Sequence, residues 1–289
     1  MPELPEVETM RRHVERSLAG RLLRRFEIRL ERVVLWPEGL GPGDLEGATL
    51  QSARRRAKWL LIEFDDGFTL AVHFGLAGQL FYDGPQGIAL LGHPVPALDV
   101  SRPHKSTHAI FHFDDGSILY YTDIRQFGRI HVVPTGDMDE FLANRKLGVE
   151  PLTEDFQPSI LETVAGRRPK TKLKGLLLDQ RVVAGIGNIY ADESLHRSNL
   201  HPALPLARVS AESFGRLRVA IRDVLRDAVE NGVAEVVNGK AKPDARLPRV
   251  HGREGEPCRR CGTAILKAQQ DGRGTYWCPE CQSDTRGTQ

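Results

Sequence analysis

No stretch of the 289 residues approaches the roughly 18 consecutive apolar side chains of a membrane-crossing helix. A membrane-embedded helical protein is therefore not expected. The opening MPELPEVETM lacks the apolar run of a secretory signal, so a cytoplasmic, reducing setting is expected. Cysteine is scarce, with four in the chain. Under reducing conditions four thiols read as metal ligands before disulfides. Net charge is almost absent, at +2 with a pI near 8.4, and excludes no class of partner. No Gly-Lys-Ser/Thr follows a glycine-rich turn, so a Walker-type nucleotide loop is excluded.

What is present is enough for a core, with 40% hydrophobic residues and a length that allows two domains and a small third module. Charge is clustered. RRRAK at 54–58 and RRPKTKLK at 167–174 contain no acid, and Lys240 to Arg260 holds seven Lys/Arg against three acids. Each run alone is a solvated surface or a phosphate contact; three on a near-neutral chain suggest a polyanion-binding face.

The spacing predicts a short helix over VETMRRHVERSL, with Pro5 at its start and Gly20 at its end. Residues 21–133 read as β. LLIEFDDGFTLAVHF (60–74) and AIFHFDDGSILYY (109–121) each place apolar runs around Asp-Asp-Gly, a hairpin signal. GPQGIALLGHPVPALDV (84–100) reads as a long loop between them. From about 137 the spacing turns helical. The clearest helix is 210–231, with Ser210 as N-cap and Phe214, Leu217, Ile221, Val224, Leu225 and Ala228 on one face. Residues 233–250 lose periodicity and read as a loop. The expected class is α+β, multidomain: a β domain at 1–133 with an N-terminal helix, a hinge at 134–150, a helical domain at 151–249 and a terminal module at 250–289.

Cys258-x2-Cys261 and Cys278-x2-Cys281 are sixteen residues apart, the spacing of a four-thiolate zinc ribbon. Four protein ligands close the site, so one structural Zn2+ is expected, holding a module too small to bury its own core. Between the pairs, Gly272 and Gly274 flank Arg273 and imply a tight turn. Arg273 is then a rigidly held phosphate ligand or a plain exposed turn residue. In VVAGIGNIYADESL (182–195), Asn188 reads as the N-cap of a helix entered through small residues. This is a phosphate site or an ordinary capped helix–turn–helix connection.

PELPEVET (2–9), RRAKWLL (55–61), HFGLAG (73–78), TDIRQFGR (122–129), LLLDQRVVAGIGNIYADESL (176–195) and the cysteine tail together resemble the formamidopyrimidine-DNA glycosylase/endonuclease VIII family over almost the whole chain. The resemblance implies a helix with a β-sandwich, then a helix–two-turns–helix domain and a zinc ribbon. It implies a bifunctional DNA glycosylase and abasic-site lyase of base excision repair. Removal of Met1 would leave Pro2 as the N-terminus. Its α-amine has a reference pKa of roughly 8, well below a lysine at about 10.4, so it can attack the sugar carbon as a neutral amine and form an iminium. β,δ-elimination of both flanking phosphates can follow. By the same resemblance Glu3 is the general acid/base and Glu6 a supporting acid. Lys58, with Arg273, His73 and Asn188, grips phosphates, and Lys58 also assists elimination. Leu76, Arg125 and Phe127 fill the hole left when the nucleotide turns out of the duplex.

Three positions depart from the family pattern. Leu76 stands where methionine is usual. Gln126 replaces a residue that is often basic. Residues 232–250 are shorter than the family loop over an everted 8-oxoguanine and lack its Gly-Gly-Ser/Thr-Thr signature. Formamidopyrimidines or oxidised pyrimidines thereby become the expected main substrates, with 8-oxoguanine as a further candidate, in double-stranded DNA that also presents abasic sites. A monomer acting at the bacterial nucleoid is expected. The rival readings are a non-catalytic damaged-DNA-binding module and an RNA-binding zinc-ribbon protein, neither of which uses Pro2 and Glu3.

Overall fold

A capping box starts the first helix, α1 (Leu4–Leu18): the Glu6 carboxylate accepts the Glu3 N–H at 2.8 Å, and Pro5 occupies the first turn. The apolar stripe Val7, Met10, Val14 and Leu18 is fully buried. The computed structural model describes residues 1–92, 102–231, 235–237, 240–241 and 247–283.

Strands follow: β1 (Leu23–Ile28), β2 (Val34–Leu35), β3 (Leu50–Arg56), β4 (Trp59–Phe64), β5 (Phe68–His73), β6 (Gly78–Gly84), β7 (Gly87–Leu91), β8 (Thr107–Phe113), β9 (Ile118–Asp123) and β10 (Arg129–Pro134), with a short helix α2 (Pro42–Leu45) after β2. Helices α3 (Met138–Ala143), α4 (Pro158–Arg167), α5 (Leu173–Leu178), α6 (Asn188–Arg197) and α7 (Ala211–Asn231) come next. Strands β11 (Glu235–Val237), β12 (Lys240–Ala241), β13 (Leu266–Gln270) and β14 (Arg273–Trp277) complete the chain.

One sheet runs β1-β8-β9-β6-β7-β11-β12 and the other β2-β10-β5-β4-β3. Pairing is antiparallel except between β2 and β10. The sheets and α1 share one core: Met10 and Val14 from the helix, Leu60, Ile62, Leu70 and Val72 from one sheet, Leu80, Phe111, Leu119 and Tyr121 from the other. Outer faces are covered too. Leu61, Ala71 and Val133 lie against Met138 and Phe141 of α3, and Phe81, Ile110 and Tyr120 form a patch on the other sheet. Strands buried on both faces explain why these segments read as continuous rather than alternating apolar runs. Both Asp-Asp-Gly hairpins form, with Gly67 and Gly116 at φ +86° and +85°.

Two loop expectations give way. Part of 84–100 is β7, which folds back on β6 through register pairs Gly84–Gly87 to Leu80–Leu91; residues 93–100 lie outside the described residues. Within 233–250, Glu235–Val237 pairs with β7 and Lys240–Ala241 with β11. The open edge of β7 supplies the hydrogen bonds that the local pattern did not announce.

The chain divides into two compact units, Met1–Arg145 with Asn231–Pro243, and Lys146–Glu230 with Asp244–Gln289. In the second unit α7 buries the face expected of it, and the Ser210 hydroxyl accepts the Ser213 N–H at 3.2 Å. The Glu193 carboxylate of α6 accepts the backbone N–H groups of Arg249, Val250 and His251 at 2.8, 2.9 and 2.9 Å. That capture ties the start of the terminal module to the helices. The module's own core is Val250, Ile265, three cysteines and Tyr276, too little to hold a fold without a staple.

Candidate functional site

In the first unit Pro2, Glu3, Glu6 and Lys58 are all buried. The N-terminal amine, carried here by Met1, stands one residue outside the amine that Pro2 would carry after Met1 removal. Burial lowers its pKa, the charges of Glu3 and Glu6 oppose that, and Lys58 lowers it further. One amine, two carboxylates and one lysine thus act on each other.

Lys58 lies in the two-residue turn between β3 and β4, across which Arg56 pairs with Trp59. Ala57 takes the left-handed conformation at φ +53°. Arg55 braces this turn: its Nη1 donates to the Ala57 carbonyl at 3.0 Å and its Nε to Glu8 of α1 at 3.2 Å. Burial works against a charged Glu8, but hydrogen bonds from Arg11 and Arg12 and the charge of Arg55 hold its carboxyl below the ordinary value.

His73 ends β5. Its Nδ1 accepts the Gly75 N–H at 3.3 Å, which assigns the ring proton to Nε2. Burial, then the charges of Lys58 and His131, push its pKa down to about 4. At neutral pH it is a neutral N–H donor, suited to a phosphate oxygen without adding charge. The Trp59 ring packs against it at 4.9 Å.

Leu76 and Phe127 are exposed, at 44% and 56%. Large apolar side chains exposed side by side form a candidate contact surface. Their backbones are adjacent: a Cβ on Gly75 (φ +56°) would fall 2.6 Å from the Gly128 nitrogen and 2.7 Å from the Phe127 carbonyl carbon. The 124–128 loop is fastened by Asp123, fully buried, whose carboxylate accepts the N–H groups of Arg125 (3.0 Å) and Gly128 (2.8 Å). Its carbonyl receives His108 Nε2 at 2.8 Å and the Gln126 N–H at 3.3 Å. Sequence reasoning did not single out Asp123; an Asp two residues before the loop's first N–H is an Asx-turn signal that points to it.

Asn188 and Arg273 belong to the second unit. Asn188 is not an N-cap. Gly187 holds that position, Asn188 is the first helical residue, and its Nδ2 donates to the Gly274 carbonyl at 2.9 Å. Arg273 follows a tight turn in which Asp271 and Gly272 both have positive φ, +51° and +75°, the geometry an Asp-Gly pair favours. It is exposed, and no carboxylate pairs with it among the described residues. It shares an open cleft of about 340 Å³ with Lys174, Asp179, Gln180, Arg181 and Asp271.

The basic runs are not uniformly a surface. Arg55 is held by Glu8 and Arg54 by Glu63. Lys174 is buried, with its Nζ 2.7 Å from Asp192 and donating to Thr275 Oγ1 (2.9 Å) and the Gly274 carbonyl (3.1 Å). Asp192 also receives His251 Nδ1 at 2.8 Å. Strand β14, which carries Arg273, is thereby anchored to α5 and α6.

The four cysteine Sγ atoms lie within 4.8 Å of one another, with separations of 3.4 and 3.5 Å along two of the edges. Tetrahedral zinc–thiolate bonds of about 2.3 Å put sulfurs roughly 3.8 Å apart, so the set fits Zn2+. Backbone N–H groups of Arg260 and Cys281 point at the Cys258 and Cys278 sulfurs at 3.4 Å each, as thiolate ligands require. The zinc is structural, since all four positions are protein.

An amine whose pKa is depressed, beside two buried carboxylates, suits Schiff-base attack on a sugar. Exposed apolar wedges suit a duplex from which a nucleotide has been turned out. The class these define is that of the DNA glycosylases with abasic-site lyase activity. Family models match residues 1–130 as the formamidopyrimidine-DNA glycosylase N-terminal domain, 147–238 as its H2TH domain and 255–283 as the zinc finger found in FPG and IleRS. The formamidopyrimidine-DNA glycosylase of Pelotomaculum thermopropionicum is 39% identical over 288 residues, covering 98% of this chain and 99% of its own. That of Cytobacillus firmus is 38% identical over 289 residues, covering 98% and 100%. Among solved structures, Lactococcus lactis Fpg in complex with DNA containing N7-benzyl-Fapy-dG superposes with a TM-score of 0.85 at 32% identity, covering 98% of this chain and 100% of that one. The chain belongs to the formamidopyrimidine-DNA glycosylase family. No helix among the described residues is long and apolar enough to cross a membrane.

Proposed function

We propose that this protein excises oxidised bases, formamidopyrimidines first, from double-stranded DNA and cuts the abasic site by β,δ-elimination. The reading rests on the half-buried terminal amine beside Glu3, Glu6 and Lys58. With Met1 removed, the Pro2 nitrogen attacks C1′ of the damaged nucleotide. The C1′–base bond breaks, the base leaves with a proton, and opening of the sugar ring gives an iminium between Pro2 and C1′. Glu3 carries protons to the ring oxygen and between steps. The iminium accepts the electron pair released when a proton leaves C2′, expelling the 3′ phosphate; a second elimination expels the 5′ phosphate. Water then releases Pro2.

Lys58, His73, Asn188 and Arg273 hold the phosphates in this reading, and Leu76, Arg125 and Phe127 occupy the vacated space. We assign 1–133 to the catalytic sandwich, 134–150 to the hinge, 151–249 to the DNA-binding helices and 250–289 to the ribbon. The bacterial relatives support a place in the cytoplasm at the nucleoid. The relative from Lactococcus lactis was solved with DNA containing a benzylated formamidopyrimidine, and another of its complexes holds DNA with an oxidised pyrimidine. Absence of the Gly-Gly-Ser/Thr-Thr signature at 232–250 favours a second reading, an endonuclease VIII-like preference for oxidised pyrimidines.

The test is borohydride trapping with an untagged N-terminus, on duplexes bearing an abasic site, 8-oxoguanine opposite cytosine, a formamidopyrimidine or an oxidised pyrimidine. Adducts on the abasic and formamidopyrimidine duplexes are expected. Strong trapping on the pyrimidine lesion alone among the damaged bases would establish the second reading. No adduct on the abasic duplex would refute the Pro2 mechanism.

A further inference from the structure

We infer that Arg32 is a further DNA-binding side chain of the void-filling loop, holding a backbone phosphate beside the turned-out nucleotide. The inference rests on the proposed role of Arg125 and Phe127.

Arg32 sits on a 3-10 turn, Glu31–Val33, far in sequence from the loop but fixed beside it. Val33 is fully buried and donates to the Leu30 carbonyl at 3.0 Å. The next residue, Val34, pairs with Ile130 of β10, the strand that leaves the loop. From this base the Arg32 guanidinium donates to Gln126 Oε1. Gln126 is itself held. It adopts φ +58°, its N–H reaches the Asp123 carbonyl at 3.3 Å, and its carbonyl accepts Arg129 Nη1 at 2.9 Å.

The charge around this contact is not neutralised. Among the described residues no carboxylate pairs with Arg32, Arg125 or Arg129. Arg129 spends Nη1 on the carbonyls of Gln126 and Gly128. Elsewhere in the same unit arginines find acids: Arg11, Arg12 and Arg55 meet at Glu8, and Arg21 meets Asp115. The loop's one acid, Asp123, is buried with its oxygens on backbone N–H groups. Three guanidiniums without a carboxylate partner among the described residues therefore lie on or against a loop with an exposed apolar tip, Ile124 and Phe127, with Arg125 over the Phe127 ring at 5.4 Å. That pattern fits a surface made for stacked bases flanked by phosphates. A neutral amide orients the Arg32 fork without quenching it, and leaves other N–H donors for a phosphate. Gln126 therefore does not simply remove a cation. The cation is supplied from residue 32 and aimed by the glutamine.

The test is the salt dependence of binding to a duplex with a stable abasic analogue. Arg32→Ala should lower the slope of log Kd against log salt by about 0.9, the share of one phosphate contact, and weaken binding about tenfold at low salt. Arg32→Lys should keep the slope. Arg32→Ala with Gln126→Arg should recover it, with an unchanged thermal midpoint throughout. In multiple-turnover excision the loss should appear in KM rather than in kcat. An unaltered slope in Arg32→Ala would overturn the assignment. Phe127→Ala separates it from the underlying reading: it should impair excision and leave the slope in place. Normal excision by Phe127→Ala would refute the void-filling role while leaving the Arg32 slope to stand on its own.

Discussion

Replacing Lys174 by methionine separates two accounts of a lysine in a basic run. If Lys174 were a phosphate ligand, the variant would fold normally and lose salt-dependent affinity. Its burial and its 2.7 Å contact with the equally buried Asp192 argue otherwise. Lys174→Met keeps the stem's packing but leaves a carboxylate in the interior with only His251 Nδ1 and the Tyr276 N–H, at 2.8 and 3.3 Å. Breaking one half of a buried pair costs about 3–5 kcal/mol. Thr275 Oγ1 loses the Lys174 donor as well, while the Gly274 carbonyl keeps Asn188 Nδ2. At about 2–4 °C per kcal/mol for a unit of this size, the melting midpoint of the helical unit should fall by roughly 6–20 °C. The zinc content should hold at low temperature. Lys174→Met with Asp192→Leu should recover most of the loss, because removing both partners avoids the stranded charge. Calorimetry measures the midpoint, and fluorescence anisotropy measures the binding slope. A variant with unchanged melting and a binding slope reduced by about one would refute the structural role.

Pro2→Gly should still bind abasic DNA, while base excision drops by at least about a hundredfold; single-turnover gel assays measure both. Gly128→Ala should destabilise the first unit by about 3 kcal/mol, since the new methyl would lie 1.8 Å from Tyr121 Oη. Tyr121→Phe alone, which deletes a buried hydroxyl without a partner, should stabilise by about 1 kcal/mol, and should restore part of the Gly128→Ala loss. Burial holds His73 and His131 down to about 4. The unfolded chain takes up those protons near pH 6.5, so it binds more protons than the native state between about 6.5 and 4. Stability contributed by these neutral rings is complete above that window and is lost as pH falls through it. His131→Asn should flatten the midpoint-against-pH curve of the first unit. Chelation of zinc should abolish lesion binding, with little change in helical circular dichroism.

The hairpins and α7 were legible because Asp-Asp-Gly and a long one-faced apolar stripe are local signals. The zinc site was legible from spacing alone. β7, β11 and β12 were not. Each is short, and each exists because a neighbouring edge offers hydrogen bonds, which no window of sequence contains. The same limit applies to charge. Arg55 and Lys174 sit in runs that look solvated, and only the fold shows that Glu8 and Asp192 reach them. Pro2, Glu3 and Lys58 were nominated by resemblance, and the fold places all three in the buried setting of one unit. Asp123 and Arg32 had no such help, since one acts through backbone N–H groups and the other meets its loop across 94 residues.

Asp123 has an evolutionary consequence. Its carboxylate grips backbone N–H groups alone, and the glycines at 75 and 128 fix how closely two chain segments approach. Apart from the Phe127 Cβ, which a side chain at 75 would meet at 2.9 Å, none of these fastenings touches the side chain of Leu76, Arg125, Gln126 or Phe127. The mounting is therefore separate from what is mounted. On the proposed void-filling role, substitutions at the tip change which orphaned base is tolerated without re-solving the fold of the loop, and on the proposed role of Arg32 a change at position 126 is answered from position 32. On that proposal, such an enzyme drifts in opposite-base preference one side chain at a time.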